Sequence, residues 1–302
     1  MMDYQFNTAD LFFALPELFM VAAIALILLL DLFVSERFQN LTYYLTQSTL
    51  AITGYFAFNL IGESAVIFDG TFVLDTIGSY FKVFMMVFTI VALVYSRHYL
   101  RAHNLLKGEY FILSLLSVLG MMVMVSAHSL LTVYLGLEIM SLSLYTMIAM
   151  ARDRAVAVEA ALKYFILGAI ASGLLLYGMS MIYGVTGSLN IADIASFAMI
   201  SSLTSEQVLI LNFGLVFLVI GVAFKFGAVP FHMWVPDVYH GAPTSVTMFL
   251  STVPKIAATA MLVRLLIDGL GGLQAYWADL FMILAILSIG LGSLVALMQT
   301  NI

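Results

Sequence analysis

Cysteine is absent from the 302 residues, which excludes disulfides, thiolate metal sites and cysteine-ligated iron–sulfur clusters. Charge is nearly as scarce. Only 9% of the residues are Asp, Glu, Lys or Arg and 63% are hydrophobic, where a soluble domain carries roughly 25% charged residues. Such a chain cannot cover a water-facing surface, so the bilayer must be its solvent. The net charge of −6 is spread along the chain and contains no basic run, which argues against nucleic acid or an anionic lipid patch as partner. The opening "MMDYQFNTAD" is acidic where a cleavable signal would be basic, so the first apolar segment is expected to be retained as a helix. There is no Walker sequence, no histidine pair at haem or metal spacing, and no glycine fingerprint after a strand. An ATP-driven pump and a resident cofactor are therefore not expected.

What is present is a series of apolar stretches. Crossing about 30 Å of hydrocarbon takes some 20 residues, and stretches of that kind fall at 11–34, 41–62, 73–95, 109–126, 129–150, 158–184, 208–242, 244–268 and 276–299. The composition thus predicts an all-α, polytopic membrane protein with about nine transmembrane helices. The connection 187–207 is long enough for a small surface helix. Arg37, Arg97, Arg101, Lys107, Arg152 and Arg154 all fall in alternate connections, and the other connections hold no Lys or Arg. By the positive-inside rule the N-terminus lies on the outer side of the membrane. The segment 208–242 is too long for one crossing, since 35 residues would measure over ~50 Å. Gly227, Pro230 and Pro236 supply the breaks, as proline removes a donor and clashes with the preceding turn. Broken backbone at membrane depth is tolerated where protein or a wet cavity satisfies it, and transporters place ion sites at such breaks. Helix seven is therefore expected to be broken at the midplane.

Several charges sit inside the spans: Glu138, Lys163, Lys225, Lys255, and the pair Asp75 and Lys82. Each buried Asp or Lys costs about 2.5–3.5 kcal/mol on insertion scales, more than packing alone explains. Helix rise places Lys255 and Glu138 near mid-membrane, with Lys225 just before the break; Lys163 is shallower, near ~8 Å from the cytoplasmic end. Lys163 as a snorkelling interfacial residue is the competing explanation for that position. A direct Glu138–Lys163 contact would need tilt or a bridging water. Asp75 and Lys82, seven residues apart, are expected either as a structural pair or as part of the charged row. His232 follows Lys225 by seven residues and is a candidate relay, against the commoner role of a hydrogen-bonded core histidine. A row of ionisable groups beside a broken helix points to proton translocation.

The stretches "YLGLEIMSLSLY", "EAALKYFILGAIASGLLLYGMSMIYGVTGSL", "GVAFKFGAVPFHMWVPDVYHGAPTSVTMFLSTVPKIA" and "LGSLVALMQTNI" closely resemble the antiporter-like subunits of proton-pumping NADH-quinone oxidoreductase (respiratory complex I), a family shared with Mrp-type cation/proton antiporters. "PDVYHGAPTSV" followed by "PKIA" is similar to the subunit N branch rather than to its sisters L and M. The resemblance spans essentially the whole chain and is strongest over 109–302. It implies a fold of two inverted five-helix repeats, divided here as helices one to three (1–108), a complete first repeat of helices four to eight (109–270), and helix nine (271–302). The rest of the second repeat, with its exit half-channel, is not in the sequence, so a truncated chain is expected.

The resemblance further implies that Glu138 and Lys163 form an ion pair modulating Lys225. In that scheme Lys225 is the central proton carrier, Lys255 passes the proton laterally, and His232 lies near the path. It implies no cofactor in this chain, with NADH, FMN, iron–sulfur clusters and quinone in partner subunits, and subunits M and K as neighbours in a bacterial inner membrane. A cation/proton antiporter subunit and a structural spacer of the membrane arm are the competing readings.

Overall fold

A computed structural model of the chain describes residues 8–33, 40–199 and 203–299. Arg37, one of the residues that set the expected orientation, lies outside them. A short helix α1 (Thr8–Phe13) leads into α2 (Leu15–Asp31) and α3 (Asn40–Asn59). A two-stranded antiparallel hairpin, β1 (Ala65–Ile67) and β2 (Phe72–Leu74), pairs Ala65 with Leu74. Then come α4 (Thr76–Ala102), α5 (Gly108–Val125), α6 (Leu130–Ile148), α7 (Ala155–Thr186), α8 (Ile191–Ala198) and α9 (Ser205–Phe226). The chain continues through α10 (Trp234–Gly241), α11 (Thr244–Leu262), α12 (Gln274–Leu287) and α13 (Ser293–Leu297). Val263–Gly269 extends α11 as a π-helix, and Ser288–Gly292 joins α12 to α13 in the same way.

Among the described residues, seven helices are long and apolar enough to cross a membrane: α4, α5, α6, α7, α9, Thr244–Gly269 and Gly271–Leu297. Helices α2 and α3 occupy the first two expected spans. The first has only 17 residues, the lower limit for a crossing, and the second is diluted by Asn, Thr, Gln and Ser. Helix α4 runs on to Ala102, past the expected end at 95, so Arg97 and Arg101 are helical rather than in the connection. Both donate to Asn40 Oδ1, at 3.0 and 3.1 Å. Cations in a last helical turn also complement the helix dipole.

Close helix crossings are made through glycine. A methyl at Gly120 of α5 would fall 2.5 Å from Met140 N of α6, and one at Gly136 of α6 would fall 2.6 Å from Met124 N of α5. Gly178 of α7 and Gly214 of α9 meet in the same manner, with a methyl at Gly178 only 2.7 Å from Gly214 O. Lipid removes the hydrophobic drive for helix association, so backbone-to-backbone packing of small residues takes its place. Helix α8, in the connection expected to hold a surface helix, starts at Asn190, whose Oδ1 accepts from Ala192 N at 2.8 Å. The hairpin was not legible beforehand, because three-residue strands are too short to show an alternation.

Asp75 and Lys82 do not pair with each other. Asp75 is extended (φ −145°, ψ 167°) and caps α4, accepting from Gly78 N at 2.8 Å. Outside the helix its seven-residue spacing from Lys82 no longer places the two on one face. Asp75 instead takes a bidentate contact from Arg264 on the π-helix, at 2.7 and 2.8 Å. Arg264 also donates Nε to Val125 O at 2.9 Å and Nη1 to Asp268 at 3.0 Å. Lys82 pairs with Glu17 of α2 at 2.5 Å.

Burial works to raise the Asp75 carboxyl, but the hydrogen bonds and charge of Arg264, with the Gly78 N–H, outweigh it and hold the group below the usual aspartate value. A carboxyl that binds protons less tightly when folded stabilises the fold fully above its unfolded value, near pH 4, and loses that contribution as pH falls through the lowered folded value. Asp75→Asn should lower stability by roughly 1–2 kcal/mol at neutral pH, after discounting for solvent at this half-buried site. Thermal melts in detergent should show the gap between wild type and variant closing below about pH 4.

Candidate functional site

The segment 208–242 is broken as expected. Helix α9 ends at Phe226, where Gly227 adopts φ 71°, ψ 33°, a left-handed conformation that costs glycine nothing. Turns follow, with a cis Val229–Pro230 bond, and α10 resumes at Trp234. A helix end leaves its last carbonyls without intrahelical partners, and in hydrocarbon these must be satisfied by protein. Ala223 O accepts from Ala228 N at 2.9 Å, and Phe224 O accepts from Gly227 N at 3.0 Å and from the Trp234 indole at 3.0 Å. Lys225 O accepts from the Lys255 ammonium at 2.6 Å. A cation on the last carbonyls of a helix also answers the negative end of its dipole.

The Lys225 side chain turns the other way and is 7% exposed. Its Nζ donates to Ser141 Oγ at 2.8 Å, and Ser141 in turn donates to Leu137 O at 2.6 Å. Ser141 lies eleven residues into α6 and Lys255 eleven residues into α11, each about 17 Å from the helix start. Two independent helices thus set the two lysines near the middle of the bundle. Glu138 stands one turn before Ser141 on the same face of α6 and within electrostatic reach of Lys225. Its Oε1 is buried and has no hydrogen-bond partner among the described residues. Trp234, 1% exposed, seals the break: its ring lies 4.7 Å from Tyr164 and 5.6 Å from Phe224, and the Lys255 ammonium sits 5.1 Å from it.

Lys163 is not brought to Glu138. Its Nζ contacts Asp237 of α10 at 2.7 Å and Glu159 one turn back at 2.9 Å, with 43% of the side chain exposed. The reason is depth. Lys163 is only two turns into α7, level with α10, whereas Glu138 is at mid-helix. Asp237 was therefore a missed partner. His232 is half-buried, with Nδ1 lacking a partner among the described residues. It lines a cavity of about 410 Å³ together with Gly227, Pro236, Tyr239, Thr247 and Gln299. A methyl at Gly227 would be 4.0 Å from Lys255 Nζ, so this cavity reaches the neighbourhood of the lysine pair. Among the described residues no group of three or more His, Cys, Asp or Glu is placed to hold a metal ion.

The architecture is that of a multi-pass helical membrane protein with an intramembrane charged site at a broken helix. Residues 127–302 match the family described as NADH:quinone oxidoreductase/Mrp antiporter, TM, and the chain belongs to that family. It is 70% identical over 299 residues to the NADH-quinone oxidoreductase subunit N of Ruthia magnifica subsp. Calyptogena magnifica, covering 99% of this chain and 62% of that protein. It is 50% identical over 298 residues to the subunit N of Thioalkalivibrio sulfidiphilus, covering 98% of this chain and 62% of that protein. Its fold is similar to a chain of respiratory complex I from Thermus thermophilus, with a TM-score of 0.77 and 28% identity over 95% of this chain and 59% of that one. The chain therefore spans about three-fifths of the length of the relatives it matches.

Two measurements check this geometry. Trp234→Phe removes the indole donor to Phe224 O at a buried helix end, and should lower unfolding stability in mixed micelles by about 1–3 kcal/mol. In a double-mutant cycle read by thermal stability, Lys163→Gln and Asp237→Asn should be non-additive, whereas Lys163→Gln and Glu138→Gln should simply add.

Proposed function

We propose that this chain acts as a proton-translocating membrane-arm subunit of an NADH-quinone oxidoreductase, in a bacterial inner membrane, with nine crossings once α2 and α3 are counted and the N-terminus outside. In this reading α5 to α11 form the first of two inverted five-helix repeats. Redox chemistry, with its NADH, FMN, iron–sulfur clusters and quinone, belongs to partner subunits, and subunits M and K are the expected neighbours. The chain's share of the enzyme is proton movement and no redox step.

The observation that carries this reading is the Lys225 ammonium, held at mid-bundle by a neutral hydroxyl at a helix break, with Lys255 resting on its own carbonyl. An ionisable group kept inside a membrane is expensive and by default functional. The roles follow from placement. The cavity at His232 gives water a route towards Lys255. Lys225 loads or releases a proton under the influence of Glu138, one turn from its hydroxyl partner. Lys163 acts through its Asp237 contact on α10, the helix that also carries Trp234, rather than through Glu138. A cation/proton antiporter subunit remains the second reading, since the family description names Mrp antiporters as well; sodium-dependent exchange by the isolated protein would favour it over the first.

The test is NADH-driven proton uptake in vesicles from cells carrying the full-length subunit, wild type against Lys225→Ala, with assembly followed on native gels. Loss of uptake in an intact complex is expected. Undiminished uptake would demote Lys225 to a tolerated buried charge and favour a spacer of the membrane arm.

A further inference from the structure

The charged row is not the only buried polar feature. In the bundle formed by α2 to α5, Glu17 and Lys82 make a 2.5 Å ion pair with side chains 9% and 1% exposed. Beyond that contact neither has a hydrogen-bond partner among the described residues, and Lys82 Nζ otherwise faces the Phe72 ring at 5.1 Å. One ion contact does not satisfy the three donors of an ammonium.

The pair heads a column of buried hydroxyls. On α4, Ser79, Lys82, Thr89 and Ser96 recur at helical intervals, each at most 1% exposed; on α3, Thr46, Thr49 and Thr53 do the same, at 0, 5 and 0%. Helices α3 and α4 run antiparallel in a fixed register. Gln47 Nε2 donates to Ile90 O at 3.4 Å, and a methyl at Gly54 would fall 3.3 Å from Met86 Cβ. That register sets Thr53 about one turn from Lys82 and Thr49 level with Thr89. At the far end Tyr110 OH donates to Ser96 Oγ at 3.1 Å. Thr46 Oγ1, Thr53 Oγ1, Ser79 Oγ and Ser117 Oγ of α5 are buried without protein partners among the described residues. Thr49, Thr89 and Ser96 spend their protons on carbonyls of their own helices, leaving oxygen lone pairs free to accept. Buried polar groups without protein partners are met by water.

We propose that α2 to α5 enclose a second hydrated polar file, separate from the Lys225 row, whose proton-binding group is the Glu17–Lys82 pair. A proton arriving from water converts the Glu17 carboxylate to the acid and leaves the Lys82 ammonium unpaired, so the site gains one positive charge; release to water reverses it. The charged groups around the pair are few. Asp75 at the start of α4 feels Lys82, with Arg264, Asp268 and His128 beyond it; Asp10 lies on α1, and α11, packed on α4, carries Lys255. Helix α3 contains no acidic or basic residue, and α5 offers only Glu109 and Tyr110 at the opposite end.

The absence of native cysteine makes the test direct. With the chain in lipid vesicles, Thr46→Cys and Thr53→Cys should react with a small water-borne methanethiosulfonate cation, read by mass spectrometry, at least about tenfold faster than the lipid-facing control Ile52→Cys. Infrared titration should show a carboxyl band that moves with bulk pH and disappears in Glu17→Gln. The double variant Glu17→Gln/Lys82→Gln, which leaves no unpaired charge, supplies the assignment where the single variant does not fold. Equal labelling at all three positions, or a Glu17 band that does not move with pH, overturns the proposal. Neither readout depends on Lys225.

Discussion

The contact between the Lys255 ammonium and the Lys225 carbonyl fixes the centre of this molecule. A helix that stops in mid-bundle presents carbonyls that hydrocarbon cannot solvate, and the chain answers each from a different direction. Ala228 and Gly227 fold back on two of them, the Trp234 indole reinforces one, and Lys255 takes the carbonyl of the residue whose own ammonium is the central charge of the site. Charge and backbone are thereby linked. A change in the charge on Lys255 is also a change in the cap of α9, and a shift of α9 moves Lys225 relative to Ser141.

Helix α10 is the second element that the arrangement depends on. It carries Trp234, which satisfies Phe224 O and stacks on Tyr164, and Asp237, which binds Lys163. These residues are three apart and so share a face of a short helix. Lys163 is tied to α10 directly through Asp237, whereas the buried Lys225 only adjoins Phe224, whose carbonyl takes the Trp234 indole. Asp237 thus stands where the contact with Glu138 was expected, and Glu138 is within electrostatic reach of Lys225 from α6.

Composition and run length were enough to read the membrane class and the helical character, and the glycine and prolines of 227–236 were enough to read the break. Glu138, Lys225 and Lys255 were legible because nothing in their apolar surroundings excuses a charge. The pairings were not. Asp75 and Arg264 are 189 residues apart, and Arg264 sits near the end of an apolar stretch, where a charge reads as interfacial. Glu17 is hidden in the same way at the start of α2. Helical spacing suggested that Asp75 would meet Lys82, but it assumed helix where the backbone is still extended. Helix rise alone read Lys163 as shallow in its helix, and it lies two turns into α7; its partner was obscured because α10 packs against α7 only after the chain has turned at the break.

Hydrogen-bond satisfaction separates the buried charges into two kinds. Arg264 has Nε and both Nη groups engaged by Val125 O, Asp75 and Asp268. Losing any one partner leaves a buried polar group exposed to the low dielectric, so the cluster resists change and works as a fastener between α4 and the end of α11. Lys225 has one neutral hydroxyl for three donors, and Glu138 Oε1 has no partner among the described residues. Burial is common to both kinds; they differ in how many of their polar atoms are satisfied.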